Sequence, residues 1–154
     1  MSIEGPDESK RVEDVDKARV MADFENAYRD KYIGKLKKEL QQPYAPEIIK
    51  TLQTQIDRWE KKSDQLADGV GALYEAEKES ENMSDGEVAG MEERMGVAMN
   101  EAENYLTEIK QAALDNPSPT MLEELENAVQ VDYDSQLKHE AWAQILKDRK
   151  NKSK

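Results

Sequence analysis

The chain holds a single histidine, His139, and no cysteine, so the side chains most often used as general base, nucleophile or soft metal ligand are nearly missing. A di-iron helical bundle needs a Glu-x-x-His pair from each of two helices, and a two-histidine zinc site needs a second imidazole. One histidine excludes both. Set between Lys138 and Glu140, His139 reads as a surface residue. Asp132-Tyr133-Asp134-Ser135 has the alternating acids of a calcium loop, but the later glycine and closing glutamate are not at the required offsets. There is no glycine-rich phosphate loop and no Ser–His pairing at nucleophile-elbow spacing. Carboxylates abound, yet on charge-rich helices any two sit together somewhere, and without a pocket they carry no catalytic meaning. The expectation is a protein that is not an enzyme and holds no cofactor and no metal.

What is left is chemistry of association. Trp59 and Trp142 are the largest apolar groups, and tryptophan is favoured at binding hot spots. Trp59 falls on a helical apolar stripe, which points to core packing, whereas Trp142 sits beside such a stripe, flanked by Ile145 and Leu146. Together with Leu66 and Tyr133, residues Trp59, Trp142 and Ile145 form the set of interaction candidates.

Those residues lie on four helical segments, each read from apolar residues recurring at steps of three and four. The first spans about 9–42, with Met21, Phe24, Tyr28, Tyr32, Leu36 and Leu40. The second runs over about 46–80 through Ile49, Leu52, Ile56, Trp59, Ser63, Leu66, Val70 and Leu73. The third, about 85–114, carries Val88, Met91, Met95, Ala98, Ala102, Tyr105, Ile109 and Ala112. The fourth, about 119–148, carries Leu122, Leu125, Val129, Tyr133, Leu137, Ala141 and Ile145. With only 7 glycines and 5 prolines, long helices are favoured over strands and turns. An isolated stripe would face water; four on one chain can bury one another.

The breaks are legible as well. Gln42-Pro43-Tyr44-Ala45-Pro46 ends the first helix, and Pro46 suits the first turn of the next. Asp115-Asn116-Pro117-Ser118-Pro119 does the same later, with Ser118 as N-cap. Between them Glu75 to Gly86 is an acidic connector, in which Ser84 and Glu87 have capping-box spacing. Short breaks imply antiparallel neighbours. The expectation is an all-α chain of two antiparallel helical hairpins, arranged as a four-helix bundle or an elongated coiled-coil-like form. Its divisions are a disordered N-terminus at 1–8, hairpins at 9–80 and 81–148, and a basic disordered tail at 149–154. A constant offset places Tyr32 on Tyr105, Leu36 on Ile109, Lys37 on Lys110 and Pro46 on Pro119. That pattern fits either a duplication or two hairpins of like design.

The formal net charge of −12 is unevenly spread. Residues 84–117 hold 8 acids and 2 bases, whereas residues 1–42 hold 10 and 9. A field of that sign repels phosphate backbones, so no direct nucleic-acid partner is expected, while a basic protein would be attracted. No apolar run approaches the roughly 20 residues of a membrane span, and the first residues lack a signal peptide's apolar stretch. The simplest location is cytoplasmic, or outside the cell by export without a cleavable signal peptide.

Asn116-Pro117-Ser118-Pro119-Thr120-Met121-Leu122-Glu123-Glu124-Leu125, followed by Ala128-Val129-Gln130 and Tyr133, resembles the needle and inner-rod subunits of type III secretion systems. Those are short helical hairpins whose loop carries a Pro-Ser/Asp-x-Pro signature ahead of a leucine-rich helix. Pro46 to Trp59 echoes the same pattern. The resemblance, over about residues 105–148 and again over 32–75, implies a self-associating hairpin that works as a component of an assembly. The functional expectation is therefore a structural or assembly protein acting through a protein partner or through self-association. The alternative is an acidic inhibitor or chaperone that covers a basic protein surface.

Overall fold

The computed structural model describes residues 23–63 and 72–152. All regular structure among them is helical. Helix α1 occupies 23–39, α2 Pro46–Ser63, α3 Ala72–Ser80, α4 Asp85–Asp115 and α5 Pro119–Lys152. The expected all-α class is the one found.

Local chemistry accounts for the helix ends. Pro46 and Pro119 are each the first residue of a helix, where a missing N–H costs nothing. The Ser118 hydroxyl accepts from the Met121 N–H at 3.2 Å, the cap its position suggested. At the start of α4 the capping box is complete. The Glu87 N–H donates to Ser84 Oγ, and the Ser84 N–H donates to Glu87 Oε1, both at 3.2 Å.

Side-chain pairs give the directions of the helices. Tyr28 meets Gln136 and Tyr32 meets Asp132, so α1 runs antiparallel to α5. Gln55 reaches the Glu126 carbonyl and Trp59 reaches Gln130, so α2 runs parallel to α5. Glu92 and Glu103 meet His139 and Gln136, which makes α4 antiparallel to α5. Helix α3 continues beside the far end of α5, where Ser80 meets Arg149. The result is one up-down-up-down bundle in which α5 touches α2, α3 and α4 as well as α1.

This arrangement places one core across both expected hairpins. Leu36 and Ile33 of α1, Ile48, Leu52 and Ile56 of α2, and Leu125 and Val129 of α5 are buried together. A second cluster joins Leu73 and Ala76 of α3 to Val88 of α4 and Ala141, Trp142 and Ile145 of α5. Each large side chain fully buried here contributes about 1.5–3 kcal/mol of hydrophobic stabilisation. Because α5 packs against helices on several sides, its buried face is wide and takes in Ala128, Asp132 and Gln136 beside the expected stripe.

Several boundaries differ from expectation. The acidic connector is shorter: residues 75–80 belong to α3, and only 81–84 lie between helices. The helix α5 continues to Lys152, so residues 149–152 are helical rather than a disordered tail. Arg149 explains this extension. Its guanidinium donates to the Ser80 carbonyl at 2.5 Å and the Met83 carbonyl at 2.6 Å, tying the last turn of α5 to the α3–α4 turn. In α4 the inward edge passes through half-buried Met99 and Leu106 to buried Ala113, while Ala98 and Tyr105 are exposed and Ala112 is half-buried. A three-residue or a four-residue step satisfies the same periodicity, and contact with α5 selects the later one. Residues 1–8, with Met21 and Val70, lie outside the described residues.

Candidate functional site

Four of the five interaction candidates are buried side chains that hold the bundle together. Trp59 and Tyr133 belong to the larger core cluster, and Trp142 and Ile145 to the smaller one. Leu66 lies outside the described residues. The Trp59 and Tyr133 rings are in contact, with centroids 4.8 Å apart, and Tyr32 stands edge-on to both at 5.4 Å. Tyr28 joins them 6.0 Å from Tyr133. Three helices thus contribute to one aromatic cluster, and all four of its rings, Tyr28, Tyr32, Trp59 and Tyr133, fall on the apolar stripes read from the sequence. Pairs of this kind contribute about 0.5–1.5 kcal/mol beyond area burial.

Beside the aromatics lies a polar network that periodicity did not reveal. Asp132 is only 2% exposed. Its Oδ2 accepts from the Tyr32 hydroxyl at 2.5 Å and from Gln136 Nε2 at 3.0 Å. Gln136 accepts in turn from the Tyr28 hydroxyl at 2.6 Å and donates to Glu103 at 3.4 Å. Burial pushes all three tyrosine hydroxyls up, Tyr133 to about 12, and neighbouring acids add to the rise at Tyr28 and Tyr32. Burial likewise raises the Glu25 carboxyl, which Arg29 at 3.7 Å offsets only in part.

A cleft of about 260 Å3 opens next to this network, between α1, α4 and α5 with Leu52 of α2 also in its lining. Leu36, Leu52, Leu106, Leu125 and Val129 form its apolar walls, and Asp132 and Glu103 lie among its polar lining. At the rim Lys110 is held by Glu39 at 3.2 Å, and Lys35 lies over the Tyr32 ring at 5.7 Å.

The outer face of the α4–α5 hairpin is of a different kind. On α4, Val97, Glu101, Tyr105 and Glu108 form one exposed row at helical spacing; on α5, Thr120, Glu124, Asn127 and Val131 form another. The two rows adjoin, since Tyr105 shares a shallow depression with Thr120, Glu124 and Asn127. Val97, Tyr105 and Val131 are the large exposed hydrophobics among the described residues, at 53%, 37% and 41%. Tyr105 and Tyr32, matched by the offset between hairpins, therefore occupy opposite environments. No ion pair among the described residues engages Glu101, Glu108 or Glu124.

His139 is not a free surface residue. It is half-buried and bonded to Glu92 at 2.8 Å, and a Cβ at Gly96 would stand 3.3 Å from its Nε2. The small residue lets the ring lie across α4. Asp132 to Ser135 sit mid-helix in α5, and no cluster of three potential metal ligands occurs among the described residues. None of their helices is long and apolar enough to cross a membrane. Comparison with protein-family models, with curated proteins and with solved structures finds no match for the chain.

Proposed function

We propose that this chain is a non-enzymatic helical protein that acts by binding a basic protein partner on the outer face of the α4–α5 hairpin. The observation that carries the proposal is the pair of adjoining exposed rows, in which Val97, Tyr105 and Val131 stand among Glu101, Glu108 and Glu124. Apolar anchors ringed by charge of one sign suit a partner that is amphipathic and cationic. The 8 acids and 2 bases of residues 84–117 extend that field along the helix. Among the two functional readings, this favours the acidic binder that covers a basic surface. Assembly through the apolar stripes loses ground, since those stripes are spent inside the bundle. A place in a larger assembly, as the secretion-subunit resemblance implies, would then rest on the acidic face.

The test is a titration of a fluorescent, helical Lys/Leu peptide with the purified chain at low and at high salt, beside light scattering of the chain alone. The expected result is a monomer at both salt concentrations that binds the peptide, with affinity falling as salt screens the charges. Tyr105→Ala and a Glu101→Lys, Glu108→Lys pair should each weaken binding about tenfold without altering the circular dichroism. Salt-independent dimers, or peptide binding untouched by these substitutions, would replace this reading with self-assembly.

A further inference from the structure

The cleft between α1, α4 and α5 is chemically asymmetric. Its walls are aliphatic, and its lining includes a buried carboxylate. Among the described residues, Asp132 accepts from the Tyr32 hydroxyl and the Gln136 amide, both neutral and both on Oδ2. Oδ1 is buried and has no hydrogen-bond partner among the described residues. A buried anion without a countercharge is costly, by several kcal/mol per ion in general. The second carboxylate of the cleft, Glu103, is coupled to the first through Gln136.

The lysines do not cancel this charge from the rim. Lys110 is committed to Glu39, and Lys35 to the face of Tyr32. A water could satisfy Oδ1 but would not neutralise it. A metal ion would require more ligands than two carboxylates linked by an amide supply.

We propose that this cleft binds a small aliphatic amine, its ammonium group placed against Asp132 and Glu103 and its hydrocarbon body against Leu106, Leu125 and Val129. The space of about 260 Å3 lies just below the ~300–1,000 Å3 of drug-sized sites, which favours a compact ligand. An ammonium placed against this carboxylate supplies a positive charge that no ion pair among the described residues gives Asp132. The protein's net charge of −12 enriches cations near the opening. The site is independent of the acidic outer face, and neither proposal requires the other.

The experiment titrates the full chain with n-hexylammonium, 1-hexanol and hexanoate, following methyl resonances by NMR. Hexylammonium should bind saturably and shift the methyls of Leu106, Leu125 and Val129. It should bind about tenfold or more tightly than hexanol, and hexanoate should not bind. Asp132→Asn, which keeps an acceptor for Tyr32 and removes the charge, should erase the preference for the amine over the alcohol. Leu106→Trp, at a half-buried wall away from the polar network, should fill the cleft and abolish binding while the chain stays folded. Should Asp132→Asn fail to fold, the ligand series and Leu106→Trp decide. Equal binding of amine and alcohol, shifts located elsewhere, or an absence of saturable binding would overturn the proposal.

Discussion

Replacing Tyr133 by alanine asks directly whether the chain is one bundle or two hairpins on a tether. Tyr133 belongs to α5, yet its ring lies against Tyr32 of α1 and Trp59 of α2. Truncating a buried aromatic costs about 3–5 kcal/mol. The lost ring contacts with Trp59, Tyr32 and Tyr28 place Tyr133→Ala at the upper part of that range. Against a total of about 5–15 kcal/mol for a typical domain, the variant should be marginal. For a chain near 150 residues, its melting temperature should fall by roughly 10 °C or more. Tyr133→Phe is the control. It keeps the ring and loses only the hydroxyl, so it should stay within about 1 kcal/mol of the parent. The assay is thermal unfolding followed both by circular dichroism and by Trp59 fluorescence in a Trp142→Phe background. Both signals should move together, because the perturbed helix and the reporting helix share one core. A loss below about 1 kcal/mol, or an unchanged Trp59 transition beside a shifted helical one, would refute the shared core.

Arg149→Ala should leave the Ser80 and Met83 carbonyls without their cationic donor and cost about 1–3 kcal/mol. Amide exchange and proteolysis should rise first at residues 81–84; unchanged protection there would mean the clasp is idle. Glu39→Gln should flatten the acid side of the stability profile. Burial raises the Glu39 carboxyl, but hydrogen bonds from the Tyr44 hydroxyl and Lys110 outweigh it and hold the group below its ordinary value. Its contribution is therefore present above the ordinary glutamate range and disappears as pH falls through the lowered value. Parent and variant losing stability in parallel between neutral and acid pH would contradict that assignment.

The helices and several of their ends were legible because the signals are local. A three- and four-residue apolar spacing is a property of one helix, and so are Pro46, Pro119 and the Ser84–Glu87 capping box, whose reciprocal hydrogen bonds are present. The absence of cysteine and the acidity of residues 84–117 are equally properties of the chain alone. The roles of Trp59, Tyr133, Trp142 and Ile145 were less legible, since a large apolar group on a stripe fits a core or an interface alike. Burial against particular neighbours separates the two, and those neighbours come from distant helices.

Asp132 and Gln136 show the limit most clearly. On the sequence they are polar residues beside a stripe, indistinguishable from a solvated helix face. Their burial follows from α5 packing on several helices at once, which widens its buried face beyond a single stripe. The same packing chose the four-residue step at Met99, Leu106 and Ala113 and left Tyr105 outside. Helix formation depends on contacts a turn apart, so it is written in nearby residues. Pairing and register depend on which surfaces meet across the bundle. Many registers satisfy one periodicity, and the choice among them belongs to the packed fold.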